Sequence, residues 1–304
     1  MTTYLIGTGG WGYFKIPGKP SLKAYSEIFN FVEVNYTFYK YPDNRTVERW
    51  RWMVPDNFVF TVRCHQDLTH KIGLGPTDEA YVVFSRMLEV CRILDAPFLH
   101  LLTPNDQVLD IAKIKDARDF LSTISLKNIQ LAWEVRSPVT QPLVNLMKDY
   151  DIVHSVDLSR EEPANQTDTI YTRLFGKGKH NIYQFSDEEL VEIDRRILKS
   201  HARTAIVTYH GVRMNTDAAR FKKYKEAGEF PPITVYTGAD SVRTVLREDA
   251  NFPSSKKKLV AHQGWKVVDL TGDKRVHLSE LLSKLPEKTY NSIKDVIEEL
   301  EVFM

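Results

Sequence analysis

The sequence has almost no excess of charge of either sign, because 41 lysines and arginines face 40 aspartates and glutamates among 304 residues. A histone-like or tail-driven nucleic-acid binder would be far more basic. No apolar run approaches the roughly 18 residues of a membrane span, and the start of the chain lacks a signal-peptide pattern. Only two cysteines are present, Cys64 and Cys91, which excludes a disulfide scaffold. We therefore expect a cytoplasmic protein with free thiols and no membrane attachment.

The chain does contain a regular alternation of short β-branched or aromatic runs with amphipathic stretches. Candidate helices lie at 21–29, 44–53, 77–94 and 186–200. The candidate strands lie at 4–6, 31–34, 58–62, 98–102, 129–133, 152–156, 170–174 and 205–209. Such alternation predicts an α/β protein with a parallel sheet. Eight strands favour a (β/α)8 TIM-barrel-like fold, with an open doubly wound sheet as the alternative.

The alternation of strand-like and helix-like segments changes after Ala227. Gly228-Glu229-Phe230-Pro231-Pro232 indicates a domain boundary. We therefore predict a barrel domain at 1–228 and a small appended α/β subdomain at 229–304. Within the subdomain, a strand-like segment is expected at 259–270 and helices at 278–285 and 292–300.

The segment Gly7-Thr8-Gly9-Gly10-Trp11-Gly12 matches the G-x-G-x-x-G spacing of dinucleotide-binding loops. That loop requires a helix to begin within the motif, so that the helix N-terminus faces the pyrophosphate. Here two prolines and a glycine follow at 15–20, and they cannot lie inside the first turns of a helix. We therefore expect no nicotinamide or flavin cofactor, and instead a glycine-rich loop at the mouth of strand one.

Several longer motifs resemble those of a known family. They are IGTGGW at 6–11, FVEVNYTFY at 31–39, TVERW at 46–50, VPDNFVF at 54–60, WEVRS at 133–137 and YTRLFG at 171–176. In these motifs the chain resembles the YecE-like family, domain of unknown function 72, over roughly residues 3–225. The resemblance implies a (β/α)8-type barrel. It implies no reaction, because no activity is established for the family.

Active sites of such barrels lie at the C-terminal ends of the strands. This rule selects the polar residues at those ends as candidates for the site. The candidate catalytic residues at these ends are Glu33, Glu134, Asp157, His65 and His210. Facing carboxylates carry out acid–base catalysis or, with histidines, hold a divalent metal ion, so a metal is one open possibility. The alternative is that the carboxylates form ion pairs that fix the strand ends, namely Glu33–Arg63 and Glu134–Arg173.

Basic and aromatic residues at the same strand ends indicate a substrate site. Barrels often bind phosphate at the loops after strands seven and eight, and the loop 176–180 offers backbone N–H groups and cations. Aromatic side chains beside cations suit stacking on bases or sugars. The alternatives are a solvated turn and aromatic caps on the core. The candidate substrate-binding residues are Trp11, Asn35, Tyr39, His70, Arg136, Arg173, Lys177, Lys179 and Arg213.

Three functional hypotheses follow from these residues. The first is a hydrolase for a phosphate-bearing substrate, either a phosphorylated small molecule or a nucleic acid. The second is a carbohydrate or sugar-phosphate enzyme that uses paired carboxylates. The third is a non-catalytic barrel that binds a nucleic acid or, through the C-terminal subdomain, a protein partner.

Overall fold

Eight parallel strands alternate with helices in the part of the chain predicted to form a barrel. The computed structural model describes residues 2–178 and 181–304. Each strand coincides with a predicted one to within two residues. The strands are β1 (Thr3–Thr8), β2 (Phe31–Val34), β3 (Val59–Arg63), β4 (Phe98–Thr103), β5 (Gln130–Val135), β6 (Val153–His154), β7 (Thr169–Leu174) and β8 (Thr204–Tyr209).

Two of the predicted helices begin at the capping residues seen in the sequence. Thr77 accepts a hydrogen bond from the Ala80 N–H, and Ser186 and Glu189 form the predicted capping box. The glycine-rich segment 7–12 contains no helix, as predicted, and the first helix begins at Ser21. The helices are α1 (Ser21–Ser26), α2 (Tyr36–Tyr39), α3 (Asn44–Trp52), a π-helix (Asp67–Ile72), α4 (Asp78–Leu94), α5 (Ile111–Ser122), α6 (Gln141–Asp149), α7 (Asp187–Lys199) and α8 (Met214–Ala227).

The strands form two parallel ladders, β2-β3-β4-β5-β6 and β7-β8-β1. At one seam between the ladders, Val156 and Thr172 form an isolated parallel bridge. The Arg173 N–H donates to the Val156 carbonyl oxygen there, at 3.0 Å. The chain order of the strands is therefore also their spatial order across this seam.

The second seam lies between β1 and β2, and a tyrosine hydroxyl spans it. Tyr25 donates to the carbonyl oxygen of Phe31 at 3.0 Å and accepts from the backbone N–H of Thr8 at 3.0 Å. Gly7 permits this approach, because a Cβ at this position would lie 2.2 Å from the Phe31 carbonyl oxygen. No ladder joins β1 to β2 among the described residues, so Tyr25 satisfies backbone groups that a ladder would otherwise pair.

The interior of the eight strands is filled by side chains and is not an open pore. One apolar cluster contains a residue from every strand, which shows that the strands enclose a common core. Its buried members and the partly buried residues packed against them are Leu5, Phe31, Val59, Phe98, Ala132, Val153, Tyr171 and Ile206. The predicted TIM-barrel-like α/β fold is confirmed.

The region after Ala227 contains short helices and strands around its own apolar cluster. The predicted strand at 259–270 is wrong. Ser255 accepts a hydrogen bond from the Lys258 N–H and caps a helix there, and only a short strand follows it. The elements are α9 (Gly238–Arg247), β9 (Ser254–Ser255), α10 (Lys256–Gln263), β10 (Val267–Asp269), β11 (Arg275–His277), α11 (Leu278–Leu282), β12 (Thr289–Tyr290), α12 (Ile293–Leu300) and a 3₁₀ turn (Glu301–Phe303).

The chain divides into two compact units. The first runs to Leu174 and includes Arg195–His210, and the second comprises Phe175–Asp194 and Gly211–Met304. The predicted boundary at residue 228 stays a prediction. Both cysteines are free and buried, and burial raises the pKa of the Cys64 thiol to about 12. None of the described helices is long and apolar enough to cross a membrane.

The seam between β1 and β2 gives a test of the fold. Tyr25→Phe removes the hydroxyl and leaves the Thr8 N–H and the Phe31 carbonyl without a partner. We expect a loss of about 1–3 kcal/mol in the free energy of unfolding, the cost of unsatisfied buried polar groups. Urea denaturation followed by tryptophan fluorescence measures it. Tyr81→Phe is the control, because that hydroxyl contacts Thr123 at an exposed position. Equal losses in the two variants would contradict the role of Tyr25.

Candidate functional site

A buried arginine lies between two carboxylates at the C-terminal ends of the strands. Arg173 on β7 donates from Nη2 to Glu33 Oε1 on β2 at 3.0 Å, and its Nε lies 3.1 Å from Glu33 Oε2. Its Nη1 donates to Glu134 Oε2 on β5. The predicted Glu134–Arg173 pair is present. Glu33, however, bonds to Arg173 and not to Arg63, so one guanidinium links three strands.

The charges of this cluster fix the protonation states of its members. Burial raises the pKa of Glu134, but the charges of Arg173 and Arg136 outweigh that effect and lower the pKa below its ordinary value. Burial alone lowers the pKa of Arg173, and the two glutamates raise it above the usual range. The guanidinium occupies the place that a cation would take between the carboxylates. In the described chain no group of three or more His, Cys, Asp or Glu side chains is arranged to hold a metal ion.

Neutral groups complete the bonding of this cluster. Tyr171 donates to Glu33 Oε2 at 2.8 Å, so Thr61, whose hydroxyl lies 2.8 Å away, must donate to the Tyr171 oxygen. His100 Nε2 lies 3.2 Å from Ser155 Oγ. Burial, followed by the charges of Arg173 and Arg63, lowers the pKa of His100 well below its ordinary value, so His100 is neutral.

Arg63, at the end of β3, differs from the other buried arginines of the chain. Arg173, Arg220 and Arg275 each pair with two carboxylates. Arg63 is 6% exposed, yet none of the described carboxylates lies within ion-pair distance of it. Its Nη1 donates to Asn35 Oδ1 at 2.5 Å, and its Nε has no hydrogen-bond partner among the described residues. Burial and the repulsion of Arg173 lower the pKa of Arg63 to about 10, and the more distant charges of Glu33 and Glu134 oppose this shift only in part.

Three of the predicted substrate-binding residues surround Arg63. Asn35 is its hydrogen-bond partner, and Tyr39 interacts with its charge. His70 is partly buried, with Nδ1 2.9 Å from Thr69 Oγ1. Burial and the charges of Arg63 and Arg136 lower the pKa of His70. Arg63 itself is missing from the predicted binding residues. The signal that could have found it is the presence of three arginines but only two buried glutamates at these strand ends.

His210, predicted to be catalytic, lies beside the carboxylate cluster. Its Nε2 is 2.5 Å from Thr208 Oγ1 and 3.6 Å from Glu33 Oε1. The imidazole packs against the backbone of Gly9, where a Cβ would lie 2.2 Å from His210 Cε1. The first glycine-rich loop therefore provides space for this imidazole.

Three other predicted residues have structural contacts. His65 stacks on Tyr41 with ring centroids 3.7 Å apart, and its Nδ1 accepts from the Asp67 N–H. Asp157 accepts from the N–H and hydroxyl of Ser159 and so closes the turn after β6. Trp11 packs edge-on against Trp50 at 5.3 Å. The geometry gives these residues packing and turn-forming roles, and their predicted roles in the site stay predictions.

The predicted basic loop after β7 belongs to the second unit. Lys177 donates to Glu189 Oε1 at 3.0 Å, and Glu189 also accepts from Tyr183. Arg213 forms an ion pair with Glu248. Lys179 lies outside the described residues. Each described cation of this prediction thus has a carboxylate partner, and anion binding by the loop stays a prediction.

Arg136 provides an exposed cation near the buried cluster. Its Nε donates to Glu134 Oε1 at 2.7 Å, and 39% of its side chain is exposed. Arg173 and Arg136 therefore occupy different oxygens of one carboxylate. The Arg136 side chain is thus partly accessible to solvent while it bonds to Glu134.

Comparison with known proteins places this geometry in a family. The family model described as protein of unknown function DUF72 matches residues 5–228. The chain belongs to the DUF72 family. A DUF72 protein from Enterococcus faecalis V583 has a TM-score of 0.58 with this chain at 15% identity, covering 73% of this chain and 94% of the other. That likeness shows the shared fold.

Curated DUF72 relatives match over shorter stretches. UPF0759 protein YunF of Bacillus subtilis (strain 168) is 31% identical over 102 residues, which is 31% of this chain and 35% of YunF. UPF0759 protein YecE of Escherichia coli (strain K12) is 33% identical over 81 residues, 26% of this chain and 30% of YecE. The chain thus matches about a third of the length of these relatives.

The ion pairs of Arg173 predict a pH-dependent stability. Arg173→Met leaves Glu33 and Glu134 without their main partner, at an expected cost of about 3–5 kcal/mol in the free energy of unfolding. In the parent protein the lowered pKa of Glu134 stabilises the fold above the pH at which the unfolded chain titrates, and this is lost as the pH falls. In the variant burial raises that pKa, so acidification relieves the destabilisation.

The difference between parent and variant should therefore be largest near neutral pH and narrow on acidification, as measured by urea unfolding at several pH values. Arg118→Met is the control. It removes an exposed pair with Asp149 and should cost about 1 kcal/mol or less at any pH. A constant difference across pH would show that the buried carboxylates do not depend on Arg173.

Proposed function

We propose that this DUF72 protein is a hydrolase that acts on a phosphate-bearing substrate at the C-terminal ends of the barrel strands. The observation that supports this proposal is Arg63, a buried guanidinium that has an amide partner but no carboxylate. Burying a charge that forms no ion pair is costly, and proteins retain such groups at functional sites. An anionic substrate group supplies the ion-pair partner that Arg63 lacks among the described residues.

The balance of charge around Arg63 favours a phosphoryl group as this anion. Arg63, Arg136 and Arg173 carry three positive charges, against two negative charges on Glu33 and Glu134. Since both carboxylates bond to Arg173, Arg63 remains for a ligand, and the partly exposed Arg136 bonds to one of the same carboxylates, Glu134. Guanidinium groups bind phosphate oxygens through charge-assisted, often bidentate hydrogen bonds. A phosphoryl group provides several acceptor oxygens for both arginines.

His70 is the best candidate for acid–base catalysis. Hydrolysis joins a water oxygen to phosphorus, breaks the ester P–O bond and moves a proton from the water to the leaving oxygen. The lowered pKa of His70 keeps its imidazole neutral near pH 7, the form that accepts a proton. In the tautomer whose Nδ1 donates to Thr69 Oγ1, the Nε2 atom, which has no hydrogen-bond partner among the described residues, accepts a hydrogen bond from water.

The alternative of glycoside cleavage fits the carboxylates less well. A glycosidase needs one protonated carboxyl group as its acid, usually with a raised pKa. Glu33 and Glu134 instead bond to Arg173, and the pKa of Glu134 is lowered. These carboxylates are better suited to orient Arg173 than to transfer protons. A sugar phosphate remains within the proposal, because it carries a phosphoryl group.

Arg63→Met tests the proposal directly. We expect inorganic phosphate and phosphorylated compounds to stabilise the parent protein, by about 2.7 kcal/mol at a concentration of about 100 Kd, and to lose this effect in the variant. Because the variant removes a buried charge that forms no ion pair among the described residues, its stability without ligand should be unchanged or higher. Thermal unfolding with and without phosphate, together with release of phosphate from a panel of phosphomonoesters and phosphodiesters, measures both effects.

Arg118→Met again provides the control, since its exposed guanidinium lies in a surface ion pair with Asp149. Equal stabilisation of parent and Arg63→Met by phosphate would refute the site. Binding that depends on Arg63 without turnover of any ester would leave a non-catalytic binding barrel.

The pH dependence of the reaction tests His70. If the neutral imidazole accepts the proton, kcat/KM should fall only at pH values below the ordinary histidine pKa of 6.5, because burial and the nearby arginines lower the pKa of His70. Arg136→Met removes one of the charges that lower this pKa, so the acid limb should move to higher pH. Proton transfer would be assigned to another group if the acid limb of kcat/KM lay at the same pH in the parent protein and in Arg136→Met. The same would follow if the acid limb persisted in His70→Asn.

A further inference from the structure

The short helix α2 carries aromatic side chains to the edge of the Arg63 site. Thr37 Oγ1 lies 2.8 Å from the carbonyl oxygen of Val34 and 2.6 Å from that of Arg63, which holds the helix against β3. Phe38 is buried, whereas Tyr36 and Tyr39 remain 45% and 60% exposed. Residues three apart on a helix are neighbours on one face. Two partly exposed tyrosine side chains therefore lie on this short helix.

The Tyr39 ring lies close to the Arg63 guanidinium, which bonds to Asn35 and to no described carboxylate. Arg63 Cζ is 3.6 Å from the centroid of the Phe38 ring, and the Tyr39 ring is 4.9 Å from Phe38 in an edge-to-face contact. The two distances together limit how far the exposed Tyr39 ring can lie from the guanidinium.

The backbone around Tyr39 is also fixed, so the ring projects from a rigid position. His65 donates a hydrogen bond to the Tyr39 carbonyl, and His65 is itself held by stacking on Tyr41. Tyr36 packs edge-on against Trp50 at 5.7 Å, which fixes the second ring. Preorganised aromatic rings bind flat ligands without a large loss of side-chain entropy.

We infer that the phosphate-bearing substrate is a nucleotide whose unpaired base stacks on Tyr39 while its phosphate binds Arg63. The inference rests on the proposed function and adds the class of substrate. Exposed aromatic rings beside cations are the usual means of holding unpaired bases, and this stacking tolerates all four bases. A sugar phosphate satisfies Arg63 equally well but leaves the tyrosine face in water.

Isothermal titration of the full chain with adenosine 5′-monophosphate, ribose 5-phosphate and inorganic phosphate tests the inference. We expect the nucleotide to bind roughly 5- to 100-fold more tightly than ribose 5-phosphate, the range expected for stacking of one base. The other nucleoside monophosphates should bind within a few-fold of it. Tyr39→Ala should abolish this preference, and Tyr39→Phe should keep it.

Trp52→Ala is the matched control, because this aromatic ring is 89% exposed on α3 and should not affect the preference. Equal binding of the nucleotide and ribose 5-phosphate, or a preference retained in Tyr39→Ala, would overturn the inference and leave the phosphate site intact. Failure of all three ligands to bind would instead reject the proposed function. Comparing thymidine 5′-monophosphate with a five-residue oligothymidylate then tells a free nucleotide from a single strand.

Discussion

The ion pairs of Arg173 are the interaction on which the candidate site depends. Three charged groups that are expensive to bury stand on β2, β5 and β7, and each is tolerable only because the others are present. Such a network adds little net stability compared with apolar residues. Its effect is to hold the side chains in one arrangement, since any displacement leaves an uncompensated charge in the interior. The barrel strands thereby place Glu33 and Glu134 as supports for Arg173.

The same network explains why Arg63 forms no ion pair with a described carboxylate. Both nearby glutamates already bond to Arg173. Among the described residues, Arg63 therefore donates to the Asn35 amide oxygen and packs on the face of the Phe38 ring. Elsewhere the chain balances its buried arginines with two carboxylates each, for example Arg220 with Asp187 and Asp217. The exception is therefore local to the mouth of the barrel, where a ligand can complete the balance.

The strands were predictable because β-branched and aromatic runs are separated by helices with clear caps. The barrel mouth was partly predictable, since the rule of C-terminal strand ends brought Glu33, Glu134 and Arg173 together. The Glu134–Arg173 pair was predicted, but the partner of Glu33 was not, because strand order does not tell which guanidinium reaches across the interior to Glu33. The helix at Lys256–Gln263 was missed because its apolar residues also fit a strand, although the Ser255 cap was visible.

The tyrosine that spans β1 and β2 affects where the barrel opens locally. In a ladder, several hydrogen bonds hold two strands together. Between β1 and β2, the Tyr25 hydroxyl instead bonds to one backbone group of each strand. The least costly local opening of a protein occurs where the fewest bonds must break together. The amide proton of Thr8 should thus exchange with deuterated water earlier than those of β3 or β4.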